Sequence, residues 1–253
     1  MITATSRSSP AVAHVRSPSA KSVRSIELRG PAGRLEAVLN EGSPNAAFAA
    51  VIAHPHPLGG GSMHNKVVYH AMKVINAGEF GSPVLRFNFR GTGRSEGTHD
   101  GVAETGDVRA ALAWVENEYK LPVVAVGFSF GAAMMLAACC GNPDPASPPM
   151  SVRGLVAIGL PVRSGAARPG APIYDYPFLA QCRIPKLFLS GDQDQFATKT
   201  ELIQAAAAAA EPKKVALVPG ADHFFTGHLE RMQSELALWL KEQAYDPGQR
   251  SCI

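Results

Sequence analysis

A Gly-Phe-Ser-Phe-Gly pentapeptide at residues 127–131 leaves this chain few ways to fold. An apolar run at residues 123–126 precedes it, and a run of small and apolar residues at 132–138 follows it. This order predicts a strand, a sharp turn and a helix, and the flanking glycines leave room for a cramped backbone at Ser129. The Ser129 hydroxyl is therefore expected to project above a sheet edge, beside the free N–H groups of the helix. Ser129 is our candidate nucleophile.

A serine hydroxyl is a weak nucleophile until a base takes its proton, so a carboxylate and a histidine are expected further along the chain. Apolar strands at residues 186–190 and 215–218 lead into Gly-Asp-Gln-Asp and Gly-Ala-Asp-His. Loops beyond the carboxyl ends of parallel strands share one rim of a sheet. We therefore predict that Ser129, Asp194 and His223 converge there.

The residues alone leave alternatives open for both the acid and the base. Asp192 lies in the same loop as Asp194 and is the other candidate acid. His223 could instead be a surface histidine bonded to its neighbour Asp222. His228 is the other candidate base, although it falls inside a helical pattern of apolar residues, away from the strand end.

Further motifs identify a family that the chain resembles. Residues 54–61 are His-Pro-His-Pro-Leu-Gly-Gly-Gly, residues 86–95 are Arg-Phe-Asn-Phe-Arg-Gly-Thr-Gly-Arg-Ser, and residues 223–229 are His-Phe-Phe-Thr-Gly-His-Leu. With the serine pentapeptide, these motifs resemble the α/β-hydrolases, and more narrowly small bacterial predicted serine hydrolases. The resemblance implies that Ser129 is the nucleophile, that Asp194, last in Gly-x-x-Asp, is the acid, and that His223 is the general base.

The resemblance implies an α/β-hydrolase fold, and the alternation of apolar strands with helical stretches predicts a mostly parallel eight-stranded sheet with helices on both faces. A single domain is expected over residues 25–245, with a disordered extension at 1–24 and a tail at 246–253. Strands are predicted at 25–28, 35–39, 48–53, 84–89, 123–126, 152–158, 186–190 and 215–218. Helices are predicted at 65–76, 103–119, 130–140, 198–210 and 227–241. The short, proline-broken segment at 160–182 predicts a minimal lid and an open pocket.

An oxyanion hole needs two backbone donors. The first is expected to be the N–H of Phe130, directly after the candidate nucleophile. The second is expected in the loop after strand 48–53, where proline supplies no N–H, so Leu58 is the first choice and His56 the second. Aromatic side chains near these segments are candidate pocket residues, with packing against the core an equal alternative. They are Phe128, Phe224 and Tyr176.

Composition excludes several other classes of protein. The chain has 253 residues, of which 46% are hydrophobic and 18% charged, so it can bury one large core. The net charge of +3 comes from the basic residues 1–24, which predicts no nucleic-acid-binding face. No apolar stretch is long enough to span a membrane. The four cysteines form no disulfide framework, so reduced thiols and a cytoplasmic location are expected, with an organellar transit peptide as the alternative for the Arg- and Ser-rich start.

Neither a cofactor nor a metal is predicted. The Gly-Thr-Gly sequence at residues 91–93 follows a strand but lacks the spacing of a dinucleotide loop. The histidines at positions 54, 56, 64 and 70 form no compact ligand set with a carboxylate.

The sequence thus predicts a serine hydrolase that cleaves a small-molecule carboxylic ester. An amidase or peptidase and an acyltransferase are the enzymatic alternatives, and a non-catalytic ligand-binding protein of the same fold is the third. The sequence makes no prediction of the oligomeric state.

Overall fold

A computed structural model describes residues 22–141, 151–162 and 174–243 of the chain. Eight strands in these ranges form one sheet in the order β1-β2-β4-β3-β5-β6-β7-β8. Their bounds are β1 Val23–Gly30, β2 Gly33–Asn40, β3 Ala49–Ala53, β4 Val84–Phe87, β5 Val123–Phe128, β6 Val152–Ile158, β7 Lys186–Gly191 and β8 Lys213–Val218. β1 pairs antiparallel with β2, and β2 antiparallel with β4. All other neighbours are parallel, which confirms the predicted sheet.

Five α-helices in the described ranges cover the two faces of the sheet. They are α1 Lys66–Asn76, α2 Glu104–Tyr119, α3 Phe130–Cys140, α4 Lys199–Ala207 and α5 Leu229–Glu242. Helices α2, α3 and α4 pack on one face, and α1 and α5 on the other. The central strands β3 and β5 are buried along their whole length, as expected for parallel strands that are covered on both sides. Two 3₁₀ turns, Pro57–Gly59 and Pro177–Ala180, lie in the connecting loops.

The predicted elements are all present, and several differ at their ends. β4 stops at Phe87, two residues short of the prediction, because the Phe89 N–H meets the His54 ring in place of a backbone carbonyl. Asn88 donates to the Glu36 carbonyl at 2.8 Å, and Phe89 donates to the His54 ring at 3.0 Å. β1 begins at Val23, inside the predicted extension 1–24, since it pairs with β2 from that residue onward.

Several expectations fall outside the described residues. They concern most of the extension at 1–24, the tail at 246–253, Cys252 and the middle of the predicted lid segment, residues 163–173.

The expectation of reduced thiols is wrong for one pair of cysteines. Cys140, at the end of α3, and Cys182, after the second 3₁₀ turn, form a disulfide across 42 residues of sequence. The fold brings these two segments together because the 3₁₀ turn packs on α3 and the same core. Cys139, one residue away, carries a free thiol.

No helix in the described part of the chain is long and apolar enough to cross a membrane.

Candidate active site

Ser129 lies at the turn between β5 and α3, and its backbone is held in a rarely occupied conformation. Its φ is 55° and its ψ is −121°, and positive φ in a residue with a Cβ is strained. The Ser129 N–H donates to the Ile158 carbonyl at 2.8 Å, and the Ser129 carbonyl accepts from Ala132 at 2.8 Å and Ala133 at 3.2 Å. These bonds hold the turn, and Ser129 within it is half-buried.

Both glycines of the pentapeptide are required by close backbone contacts. A Cβ on Gly127 would collide with the backbone of Gly131. A Cβ on Gly131 would lie 2.5 Å from the carbonyl oxygens of Ala53 and His54. The turn can therefore pack against the end of β3 only with glycine at both positions.

The structure brings together the three residues that the sequence order predicts. Ser129 Oγ lies 3.0 Å from His223 Nε2, and His223 Nδ1 lies 2.8 Å from Asp194 Oδ2. A carboxylate oxygen offers only lone pairs, so Nδ1 carries the hydrogen in this pair. Nε2 of a neutral His223 is then the acceptor that faces the serine hydroxyl. This is the geometry in which a histidine can take the hydroxyl proton.

The Asp194 carboxylate is fixed by further donors. Oδ2 also accepts from the hydroxyl of Ser190 at 3.1 Å, and Oδ1 accepts from the N–H of Phe196 at 2.7 Å. The Asp194 side chain is fully buried. Two donors besides His223 therefore orient this carboxylate toward the ring.

The residues that the sequence left as alternative acid, alternative base or alternative partner of His223 make other contacts. Asp192 accepts from the Gly220 N–H at 2.7 Å and so joins the loops after β7 and β8. His228 Nδ1 bonds to the Thr226 carbonyl at 2.8 Å, at the start of α5. Asp222 accepts from the N–H groups of Phe224 and Thr226, and these bonds lower the pKa of the Asp222 carboxyl.

The candidate oxyanion donors differ in whether their N–H groups already have an acceptor. Phe130 is the first residue of α3, and the N–H groups of a first helical turn have no acceptor within the helix. The Leu58 N–H donates to the ring Nδ1 of its neighbour His56 at 3.2 Å, so it is already engaged. The His56 N–H has no acceptor among the described residues. Of the two candidates in this loop, His56 is thus the one whose N–H is free.

His54 supports this loop from beneath. It is completely buried; its Nδ1 donates to the Pro55 carbonyl at 2.6 Å, and its Nε2 accepts from the Phe89 N–H at 3.0 Å. Burial lowers the pKa of His54 from its ordinary 6.5 to about 4, against the opposing effect of the bond to Pro55. His54 is thus a neutral structural residue that ties the end of β3 to the end of β4.

The three predicted pocket residues lie in different surroundings. Phe128 is fully buried and packs under the His223 ring at 5.0 Å. Tyr176 donates its hydroxyl to the Pro161 carbonyl at 2.7 Å and packs on the core. Phe224 is 47% exposed, with its ring 5.1 Å from the His223 ring. Phe196, which the sequence analysis missed, is 44% exposed and 4.4 Å from the His223 ring.

These exposed apolar residues share a local hydrogen-bond pattern with two others. In four loops that follow strands, a polar side chain accepts the N–H of an exposed apolar residue two positions later. The pairs are His56 and Leu58, Asp100 and Val102, Asp194 and Phe196, and Asp222 and Phe224. The repeated Asp-x-Phe at residues 194–196 and 222–224 is the sequence signal that would have identified Phe196. Each of these turns fixes the backbone that carries an apolar side chain.

In the described ranges, no group of three or more His, Cys, Asp or Glu residues is arranged to hold a metal ion.

Comparisons with known proteins agree with this fold. The chain is 37% identical to an uncharacterized protein of Rickettsia prowazekii over 209 residues, which cover 79% of this chain and 81% of that protein. An alpha-beta serine hydrolase homologue from Coxiella burnetii is 31% identical, with a TM-score of 0.72 over 86% of this chain and 97% of that one. A serine hydrolase without a lid from Xanthomonas campestris is 27% identical, with a TM-score of 0.70 over 87% of this chain and 94% of that one. Residues 50–185 match the alpha/beta hydrolase family, and the chain belongs to that family.

Proposed function

We propose that this protein is a serine hydrolase that cleaves carboxylic esters through an acyl-enzyme intermediate. The observation that carries the proposal is the continuous contact from Ser129 Oγ through His223 to the buried Asp194 carboxylate. A serine, a histidine and a carboxylate in contact in this order activate the serine for attack on an acyl carbon.

The proposed reaction has two halves. His223 Nε2 takes the hydroxyl proton as Ser129 Oγ attacks the ester carbonyl, and the N–H groups of Phe130 and His56 stabilise the resulting oxyanion. The tetrahedral intermediate collapses, and His223 returns the proton to the departing alcohol. A water molecule then gives a proton to His223 and attacks the acyl-enzyme. Collapse of the second intermediate releases the acid and restores the serine.

Two observations support a small-molecule ester as the substrate. The 27%-identical relative from Xanthomonas campestris is described as lacking a lid, which agrees with the short, proline-broken segment of this chain. The exposed rings of Phe196 and Phe224 beside His223 would offer an apolar surface to an acyl or alcohol group. An ester is favoured over an amide because its alkoxide leaving group needs less help to depart.

The test is hydrolysis of p-nitrophenyl acetate, butyrate and octanoate by the parent, by Ser129→Ala and by Ser234→Ala. Ser234 is an exposed serine on α5 and serves as the matched control. We expect Ser129→Ala to lose at least about a thousandfold in kcat and Ser234→Ala to keep it. A folded parent that hydrolyses none of these esters, and is not labelled at Ser129 by a fluorophosphonate, would exclude the esterase function and favour a binding protein. A parent that is labelled but acts on p-nitroanilides in preference to esters would favour an amidase.

A further inference from the structure

A second pair of a carboxylate and an imidazole lies beside Phe130. Glu104, the first residue of α2, is fully buried, and its Oε1 is 2.6 Å from Nδ1 of His99. The contact lacks the alignment of a hydrogen bond, so the carboxylate and the ring meet as a close electrostatic contact. Glu104 also accepts from the N–H groups of Asp100 at 3.1 Å and Gly101 at 3.0 Å. One buried carboxylate therefore fixes the loop that carries His99 and lies directly against its ring.

The His99 ring joins the two segments that carry the candidate oxyanion donors. It packs edge to face on His56 at 4.8 Å and on Phe130 at 5.4 Å. The rings of His56 and Phe130 lie 5.0 Å apart, so the three rings contact one another. The His99 side chain is only 11% exposed. This packing sets how closely the loop after β3 approaches the start of α3.

The His56 ring is held on its other side by its own loop. Its Nδ1 accepts the Leu58 N–H, which requires an unprotonated nitrogen at that position. Burial, reinforced by the nearby His99, lowers the pKa of His56, with Glu104 opposing, so that the ring stays neutral near pH 7. The ring is thus fixed between Leu58 and His99, and the backbone N–H of the same residue is the free donor.

We propose that His99, oriented by Glu104, is a positioning residue that holds the His56 loop against Phe130 and sets the spacing of the two oxyanion donors. The inference rests on the proposed function of the site. Donors of this kind act on charge that develops in the transition state, and a displacement of about 1 Å costs on the order of a hundredfold in rate. Loss of the positioning therefore lowers kcat and leaves substrate binding little changed.

The test compares His99→Gln, Glu104→Gln and the double variant with the parent. His64→Gln is the matched control, because His64 is an exposed histidine outside this cluster. The first readout is the rate at which a fluorophosphonate labels Ser129, which needs no ester substrate. The second is kcat and KM on p-nitrophenyl butyrate, normalised to the labelled fraction. If Glu104→Gln does not fold, His99→Phe takes its place, because it keeps the ring contacts and loses the link to Glu104.

We expect both single variants to lose about 10- to 100-fold in labelling rate and kcat, with KM within about twofold of the parent. The double variant is expected to lose no more than the slower single variant, because both remove the same link. Parent-like rates in the variants, losses that multiply in the double variant, or losses confined to KM would overturn the inference. A parent that neither labels nor hydrolyses esters would overturn the proposed function and this inference with it, a result distinct from a labelled parent with unaffected variants.

Discussion

His54 Nε2 accepts the backbone N–H of Phe89 at 3.0 Å, in a site from which solvent is fully excluded. Protonation of this ring would turn an acceptor into a donor that faces another donor. The bond therefore exists only while His54 is neutral. Since the ordinary pKa of a histidine is near 6.5 and that of buried His54 is about 4, the unfolded chain takes up this proton first as the pH falls.

Acid is expected to weaken the fold through His54. The stabilising effect is present above the unfolded pKa near 6.5 and is lost as the pH falls toward the folded pKa of about 4, on the order of 2–3 kcal/mol between pH 7.5 and pH 4.5. Urea unfolding of the parent and of His54→Gln at both pH values measures this loss of stability. The Gln variant can still accept the Phe89 N–H but does not titrate, so its free energy of unfolding should fall less. His64→Gln is the control, and an equal fall in parent and His54→Gln would contradict the assignment.

Asp194→Asn tests the orienting carboxylate. An amide at this position can present its NH₂ to His223 and favour the wrong tautomer, so kcat is expected to fall by on the order of 10³- to 10⁴-fold. Asp192→Asn is the matched control in the same loop, because Asp192 bonds to Gly220 and not to His223. Its kcat is expected to stay within a few-fold of the parent. Kinetics on p-nitrophenyl butyrate distinguish the two, and a larger loss in Asp192→Asn would reverse the choice of acid.

Phe224→Ala tests the exposed apolar surface beside His223. The ring is about half exposed, so its removal should cost little stability and should weaken contact with long acyl chains. We expect KM to rise several-fold for p-nitrophenyl octanoate and to change little for the acetate. Leu238→Ala, a similarly exposed apolar residue on α5, is the control. An equal effect on both esters would show that the acyl chain does not contact Phe224.

Because of the Cys140–Cys182 disulfide, we expect the free energy of unfolding to fall when a reductant is added. It closes a loop across 42 residues, for which loop entropy suggests about 2–4 kcal/mol. Urea unfolding with and without dithiothreitol, for the parent and for Cys140→Ala, measures the contribution. Cys139→Ala should remain reductant-sensitive, because its thiol is free. Identical curves for the parent in both conditions would mean that the pair is not bonded in solution.

The mostly parallel eight-stranded sheet was predictable because apolar runs and turns recur along the whole chain. The same logic placed Ser129, Asp194 and His223 beyond the carboxyl ends of strands β5, β7 and β8, on one rim of the sheet. The choice between Leu58 and His56 was not accessible, because it depends on a side chain that folds back onto an N–H two residues later.

Other features depend on contacts between distant segments. Pairing of Cys140 with Cys182 requires that the end of α3 meet a loop 42 residues away. The role of His99 depends on a buried contact with Glu104 and on ring packing, which no local pattern encodes.

In the four loops that present exposed apolar side chains, one residue shapes the loop and another provides the apolar surface. The side chain of the first residue accepts the bond that shapes the loop, while the third residue contributes a backbone N–H to that bond and exposes its apolar side chain. In the loop after β8, for example, Phe224 can vary while Asp222 keeps the turn intact. Such loops let substrate preference drift by single replacements without disturbing the architecture. The loop after β7 is the exception, because the bond that shapes it comes from Asp194, and there any change of acid would reshape the rim as well.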